Sequence, residues 1–72
     1  MIVKKEYKNR ALKYTLIDDV EKVDVSEDNG ITFLNVYKNN RKKDDDFETI
    51  NIEGINVYVC NDNGKTLAIY RG

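Results

Sequence analysis

The stretch that decides the fold reads Val23-Asp24-Val25-Ser26-Glu27-Asp28-Asn29-Gly30-Ile31-Thr32. It recurs 34 positions later as Val57-Tyr58-Val59-Cys60-Asn61-Asp62-Asn63-Gly64-Lys65-Thr66, with six of the ten positions identical. Each Asp-Asn-Gly sequence lies between β-branched residues. Tight hairpin loops need positive φ angles, which glycine adopts freely and asparagine tolerates better than most residues. The sequence therefore predicts two β-hairpins of one design.

The similarity continues beyond the turns when one extra residue is allowed in the first copy. Residues 34–38 then match residues 67–71 at a leucine, a tyrosine and a closing basic residue. Phe33 and Leu34 are adjacent and must point to opposite faces, so one of them lies outside the main core or at a bulge, which would also account for the extra residue. Internal duplication and convergence of two hairpins both explain the repeat.

A further short strand precedes each hairpin, at residues 12–17 and 47–53. We therefore expect an all-β antiparallel fold in which two three-stranded meanders form a small sandwich or a partly open barrel. Residues 1–72 make one domain, with half-repeats of about 11–38 and 47–72 joined by the charged loop 39–46. In the second half, Ile55, Val57 and Val59 are predicted to face the core. Residues 2–8 are consistent with an edge strand or a short helical turn.

The residue inventory argues against several classes of chemistry. The chain contains no histidine and one cysteine, Cys60, so an internal disulfide and a Cys/His zinc site both lack their ligands. Cys60 aligns with Ser26, which indicates a small residue at a strand end. The acidic run Asp44-Asp45-Asp46 is typical of a solvated loop. We expect no enzyme activity, no catalytic residue, no metal site and no cofactor.

Location and assembly are predicted from size and charge. No apolar stretch approaches the roughly 20 residues that span a bilayer, and the N-terminus becomes charged at Lys4, which predicts a cytoplasmic protein without membrane contact. A core this small rarely supplies more than roughly 3 to 5 kcal/mol of stability. We therefore expect a homo-oligomer, most simply a dimer.

The function we expect is binding through protein–protein contact. Small size and a composition typical of AT-rich genomes suggest an accessory or inhibitor factor from a phage or another mobile element. Aromatic and cationic side chains are the usual anchors of interfaces. The candidates of this type are Tyr37, Lys38, Arg41, Lys42, Lys43, Tyr58, Tyr70 and Arg71.

Two other functions use the same residues differently. A small ligand or nucleotide could bind in a pocket at an oligomer interface. Alternatively, the tyrosines could stack on the bases of a single-stranded nucleic acid while the N-terminal lysines contact its phosphates. The net charge of −1 and the acidic segment 18–28 make nucleic acid the weaker of these hypotheses.

Overall fold

The computed structural model describes residues 1–9 and 14–72. Strands dominate these residues, and no helix occurs in them. The strands are β1 (Ile2–Tyr7), β2 (Tyr14–Ile17), β3 (Val20–Asp28), β4 (Ile31–Lys38), β5 (Glu48–Asn51), β6 (Ile55–Cys60) and β7 (Thr66–Arg71). The predicted all-β class is confirmed. The described residues therefore include no helix that is long and apolar enough to cross a membrane.

The strands form two antiparallel sheets that do not close into a barrel. One sheet has the order β2-β1-β6-β7, and the other has the order β3-β4-β5. Both sheets contribute to a single hydrophobic cluster, which contains Val3, Val57 and Val59 from the first sheet and Leu34 and Val36 from the second. The core therefore lies between the apolar sides of the two sheets, as in a small sandwich.

Strand alternation explains which side chains enter this core. Along β6, Ile55, Val57 and Val59 are buried while the residues between them are only half-buried, as the alternation predicted. In β4, Leu34 is fully buried and Phe33 is not, so Phe33 is the member of this adjacent pair that lies outside the core.

The first hairpin turns at the Asn-Gly pair, as the sequence predicted. Asp28 pairs with Ile31, which leaves Asn29 and Gly30 as a two-residue loop. Their φ angles are 52° and 78°, and two successive positive values define a type I′ turn. The twist of this turn matches that of the flanking strands β3 and β4.

The second hairpin uses the same tripeptide in a different loop. The Asn61 N–H donates to the Lys65 carbonyl at 2.8 Å, and the Gly64 N–H donates to the Asn61 carbonyl at 3.0 Å. Gly64 has a φ of 86°, whereas the φ of Asn63 is not positive. This is a three-residue loop closed by a left-handed glycine. The Asn61 side chain also accepts hydrogen bonds from the backbone N–H groups of Asn63 and Lys65.

Of the two alternatives predicted for Phe33 and Leu34, a residue outside the core or a bulge, the structure has the first and no bulge at this position. The β3–β4 register is continuous from Lys22 to Asp28, and its irregularity lies between Val20 and Lys22. A second irregularity lies in the β6–β7 pair, where the register shifts between Val59 and Cys60. Leu67 is therefore left unpaired beside the longer loop, whereas β4 stays regular.

The two predicted meanders do not form, because the first strand of each half pairs with the other sheet. Strand β2 pairs with β1, and β5 pairs with β4. Tight links at Asp19 (φ 55°) and Gly54 (φ 77°) carry the chain between the sheets. Such a link reverses the chain but does not require its two strands to pair. Strand β1 takes one of its two predicted forms, a strand, but it lies inside its sheet rather than at an edge.

Residues 39–47 connect β4 to β5 without a strand, one residue more than the predicted loop 39–46, and Arg41 attaches this connection to the sheet. Its guanidinium contacts Glu21 at 2.8 Å and donates hydrogen bonds to the carbonyls of Lys38 and Asp44 at 2.8 and 3.1 Å. Lys42 and Lys43 remain exposed. The connection is therefore solvated, as predicted, but Arg41 anchors it to the sheet.

Candidate protein-binding surface

The side of the four-stranded sheet that faces away from the core carries an unusual set of side chains. Strand pairing fixes which residues share this side, because directly opposed residues point the same way. We call it the outer face, and it comprises Ile2, Lys4, Glu6, Tyr14, Leu16, Asn56, Tyr58, Cys60, Thr66, Ile69 and Arg71.

One row of the outer face crosses all four strands. Leu16 lies opposite Lys4, Lys4 lies opposite Tyr58, and Tyr58 lies opposite Ile69. Leu16 is 59% exposed and Ile69 is 45% exposed. The solvated face of an antiparallel sheet usually carries polar side chains. The row therefore presents apolar surface to solvent at both edges of the sheet.

Lys4 packs between two aromatic rings of the same face. Its Nζ atom lies 4.5 Å from the Tyr14 ring centroid and 5.7 Å from the Tyr58 ring centroid. Both distances fall within the range of cation–π attraction. Because the ammonium group rests on the rings, the centre of the face combines a charge with aromatic surface.

Glu6 fixes the polar end of Tyr58. The Glu6 Oε1 atom accepts hydrogen bonds from the Tyr58 hydroxyl at 3.0 Å and from Asn56 Nδ2 at 3.2 Å. These two bonds, that of Asn56 first, hold the pKa of Glu6 below its ordinary value because they stabilise the carboxylate. The same bond, together with partial burial, raises the pKa of Tyr58. The ring of Tyr58 is thus held in place by a carboxylate one strand away.

A shallow depression of about 460 Å³ lies on the outer face, lined partly by Leu16, Tyr58 and Cys60. The Cys60 sulfur lies 3.9 Å from the Thr66 hydroxyl oxygen. Among residues 1–9 and 14–72, no three cysteine, aspartate or glutamate side chains converge in a way that could hold a metal ion. The chemistry that this depression offers is contact with an apolar or aromatic group.

The edge formed by β7 differs from the other three sheet edges. Strand β7 reads Thr66-Leu67-Ala68-Ile69-Tyr70-Arg71, with a single charge, and Leu67 is 53% exposed. Edge strand β3 carries charged residues at five of its nine positions, and edge strands β2 and β5 have four residues each. Charge and short length are two ways in which edges avoid pairing with other chains. Strand β7 has little of either, but the register shift that leaves Leu67 unpaired is a bulge, which also protects an edge.

On the three-stranded sheet, a network of hydrogen-bonded polar side chains lies on the side that faces away from the core. Asn35 is buried, and its Nδ2 atom donates hydrogen bonds to Asp24 at 2.9 Å and to Ser26 at 3.3 Å. The Thr49 hydroxyl donates to Asn35 Oδ1 at 3.2 Å. Asn35 therefore joins all three strands of the sheet through side chains.

Tyr37 lies beside this network in an aromatic and cationic cluster. Its ring centroid is 5.1 Å from that of Phe47, and the cations of Lys22 and Arg41 lie 4.6 and 5.6 Å from it. Partial burial, followed by a hydrogen bond with Asp24, raises the pKa of Tyr37. Because these neighbours surround the ring, the ring is engaged within the protein.

The predicted binding residues are divided between two surfaces. Tyr37, Lys38, Arg41, Lys42 and Lys43 lie on or beside the three-stranded sheet, where Lys38 contacts Asp18 at 3.3 Å. Tyr58 and Arg71 lie on the outer face of the other sheet, and Tyr70 packs half-buried against the core. Of the eight residues, Arg41 contacts the ring of Tyr37, and the eight do not form one surface.

Leu16 and Ile69 are two exposed apolar residues of the outer face that the sequence did not single out. Ile69 alternates with Ala68 and Tyr70, which pack against the core, so the period of two in β7 placed it on the outside. The register that aligns Ile69 with Leu16 joins strands far apart in the chain. Only the folded sheet shows that the two residues lie in one row.

The N-terminal cations do not form a single patch. Lys4 and Lys5 are consecutive in β1 and point to opposite sides of the sheet. Lys8 donates a hydrogen bond to the carbonyl of Gly72. Lys13 lies outside the described residues. A continuous track for phosphates is therefore not present among the described N-terminal lysines.

Comparisons with known proteins give no relative from which a role could be transferred. No protein-family model matches the chain, and no match is found among curated proteins or among solved structures.

Proposed function

We propose that this chain is a small binding protein that acts by covering a surface of another protein with its outer face. The observation that carries the proposal is the row Leu16, Lys4, Tyr58 and Ile69, which places two exposed apolar side chains on either side of an aromatic and cationic centre. Aromatic residues such as Tyr58 are enriched at interfaces, and the ammonium group of Lys4 at the centre of the row is stabilised by the rings of Tyr14 and Tyr58.

The side chain of Tyr58 is held in one position before any partner binds, which supports this proposal. The hydrogen bond from its hydroxyl to Glu6, and the contact of its ring with Lys4, limit the conformations of this side chain before any partner binds. A side chain that is already ordered loses less entropy on binding, so more of its contact energy contributes to affinity. Tyrosine also offers apolar area and a polar tip to the same partner.

The aromatic cluster on the other sheet gives weaker support for binding a single-stranded nucleic acid. Bases stack on exposed aromatic faces, whereas Tyr37 is already contacted by Lys22, Arg41 and Phe47. Asp24 stands next to this ring and would repel a phosphate. A protein partner at the outer face is therefore the function that we propose, and an accessory or inhibitor role in the cytoplasm is its most specific form.

The test compares partner capture by two variants with the same added charge on different sheets. Leu16→Lys alters the outer face, and Ile31→Lys alters an exposed position, 39% accessible, on the three-stranded sheet. Each variant and the wild-type protein is immobilised and exposed to extract from cells in which the chain occurs naturally. Bound proteins are then quantified by mass spectrometry against a matrix without bait.

We expect one or more proteins to bind the wild type and Ile31→Lys equally, and to be lost from Leu16→Lys. Circular dichroism and thermal unfolding of both variants serve as the control for folding. Equal capture by the two variants, or no capture above the matrix by the wild type, would contradict the proposal.

A further inference from the structure

Two asparagine side chains of this protein stand directly before a glycine, at Asn29-Gly30 and Asn63-Gly64. In such a pair, the backbone nitrogen of the glycine can react with the side-chain amide, because no Cβ shields that nitrogen. All four residues are exposed, and neither asparagine side chain makes a hydrogen bond with the residues that the structure describes. The two pairs therefore offer the same chemistry in two different loops.

The backbone N–H groups of the two glycines differ in their hydrogen bonds. The Gly64 N–H donates to the Asn61 carbonyl at 3.0 Å. The Gly30 N–H donates no hydrogen bond within residues 1–9 and 14–72. An amide nitrogen attacks a carbonyl carbon only after its proton has left for the solvent. Gly64 must therefore first break a hydrogen bond, whereas Gly30 need not.

The two loops also differ in how firmly they are closed. The Asn61 side-chain oxygen accepts hydrogen bonds from the N–H groups of Asn63 and Lys65 at 3.0 and 2.9 Å, and the Asn61 N–H donates to the Lys65 carbonyl at 2.8 Å. In the first hairpin, residues 24–31 are all exposed, and no side chain of the described part of the chain bonds within residues 27–31. Exposed segments with few contacts open locally at low free energy.

We propose that Asn29 is a site of covalent self-modification, in which the Gly30 nitrogen displaces the side-chain amide. The Gly30 nitrogen, having lost its proton to hydroxide, forms a bond to Asn29 Cγ. The bond from Cγ to Nδ2 breaks, and Nδ2 takes up a proton from water and leaves as ammonia. The product is a five-membered cyclic imide, and the only co-reactant is solvent.

Water then opens the imide at either of its two carbonyl carbons. One opening leaves an ordinary aspartate at position 29, which tolerates the positive φ of this position much as asparagine does. The other leaves an isoaspartate, whose backbone runs through the side-chain carbon. The loop between Asp28 and Ile31 is then one backbone atom longer, and it no longer fits the two-residue turn that fixes the β3–β4 register.

Both products add a negative charge beside Glu27 and Asp28, at the tip of the acidic strand β3. Like charges so close together repel each other, and the isoaspartate form also loses the turn geometry. The modification therefore loosens the tip of the first hairpin. It does not involve the outer face, so it goes beyond the proposed function and can fail independently of it.

The test measures the rate of ammonia loss at each asparagine in the untagged protein. Folded protein and protein unfolded in urea are incubated in warm, mildly alkaline buffer, digested at intervals and analysed by mass spectrometry with fragmentation. Asn29→Ser removes the reacting amide and confirms which peptide reports on the first site. Asn61→Ala removes the two side-chain hydrogen bonds that hold the second loop.

The quantity compared is the rate in folded protein divided by the rate in urea, which removes any effect of the flanking sequence. We expect this ratio to be at least about fivefold larger for Asn29 than for Asn63, the factor that one ordinary hydrogen bond represents. Asn61→Ala should raise the ratio at Asn63 and leave that at Asn29 unchanged, with circular dichroism as the control for folding.

Equal ratios at the two sites, or a larger ratio at Asn63, would overturn the proposal. So would an Asn29 that stays intact in the folded protein while the same residue reacts completely in urea. The comparison within the wild-type protein decides the matter even if Asn61→Ala does not fold.

Discussion

Tyr58 and Glu6, which lie 52 positions apart in the chain, are joined by a hydrogen bond of 3.0 Å between neighbouring strands of one sheet. The bond ties the most central aromatic ring of the outer face to the inner strand β1. It also couples two titrations, because the carboxylate that accepts the bond stabilises the neutral hydroxyl that donates it.

The titration of Tyr58 should report this bond. Its pKa is raised above the ordinary value of 10.0, with the Glu6 hydrogen bond as the largest cause. In Glu6→Gln the acceptor loses its charge, and the pKa of Tyr58 should move down toward 10.0. The measurement is an alkaline titration followed by tyrosinate absorbance, with Tyr58→Phe to assign the affected group. An unchanged titration curve in Glu6→Gln would show that the carboxylate does not act on Tyr58.

Acid stability should depend on Glu6 with a definite sign. Its pKa in the folded protein lies below the ordinary value of 4.5, so the carboxylate stabilises the fold above pH 4.5. That contribution is lost as the pH falls from 4.5 through the lowered value. Urea unfolding of the wild type across this range should show the loss, and Glu6→Gln should show less of it. Glu53→Gln, at an exposed turn, should keep the wild-type dependence.

Asn35→Ala should destabilise the protein, because it removes the residue that joins three strands of the second sheet. Asn35 is buried and has hydrogen bonds with Asp24, Ser26 and Thr49. Loss of a buried hydrogen-bonding group costs about 1 to 3 kcal/mol of unfolding free energy. Chemical denaturation measures this change. Asn40→Ala, at an exposed loop position, serves as the control and should change stability by less than about 0.5 kcal/mol.

The two Asp-Asn-Gly turns should respond differently to the same substitution. Asn29 has a φ of 52°, where alanine costs about 1 to 2 kcal/mol relative to an ordinary backbone conformation. Asn63 does not have a positive φ, and its backbone N–H keeps its bond to Asn61 in an alanine variant. Asn29→Ala should therefore lower the unfolding free energy, and Asn63→Ala should leave it within about 0.5 kcal/mol. Equal losses of unfolding free energy in the two variants would mean that Asn29 and Asn63 have the same backbone conformation, and would contradict this account.

Local sequence predicted the hairpins because their turn chemistry acts over a few residues. Asn29 and Gly30 have the positive φ angles that a two-residue loop needs, and Gly64 closes the second loop. The alternation of Ile55, Val57 and Val59 likewise identified the buried side of β6. These features depend on period and backbone conformation, which neighbouring residues determine.

The sheet partners of β2 and β5 could not be predicted in the same way. Asp19 and Gly54 produce tight links whether or not the flanking strands pair. The choice depends on which pairing buries more apolar surface in the completed core, and that core combines residues from both halves of the chain. The row from Leu16 to Ile69 follows from this long-range pairing, which explains why tyrosines and cations, rather than these two residues, stood out in the sequence.

Native mass spectrometry of the untagged protein, purified gently from cells in which it occurs naturally, tests the central claim most directly. One spectrum reports both the number of chains in the assembly and the mass of anything bound to it. We expect two copies of the chain, accompanied by a protein of defined mass. A single chain without a bound protein, or a dimer that carries only a small molecule, would contradict this account.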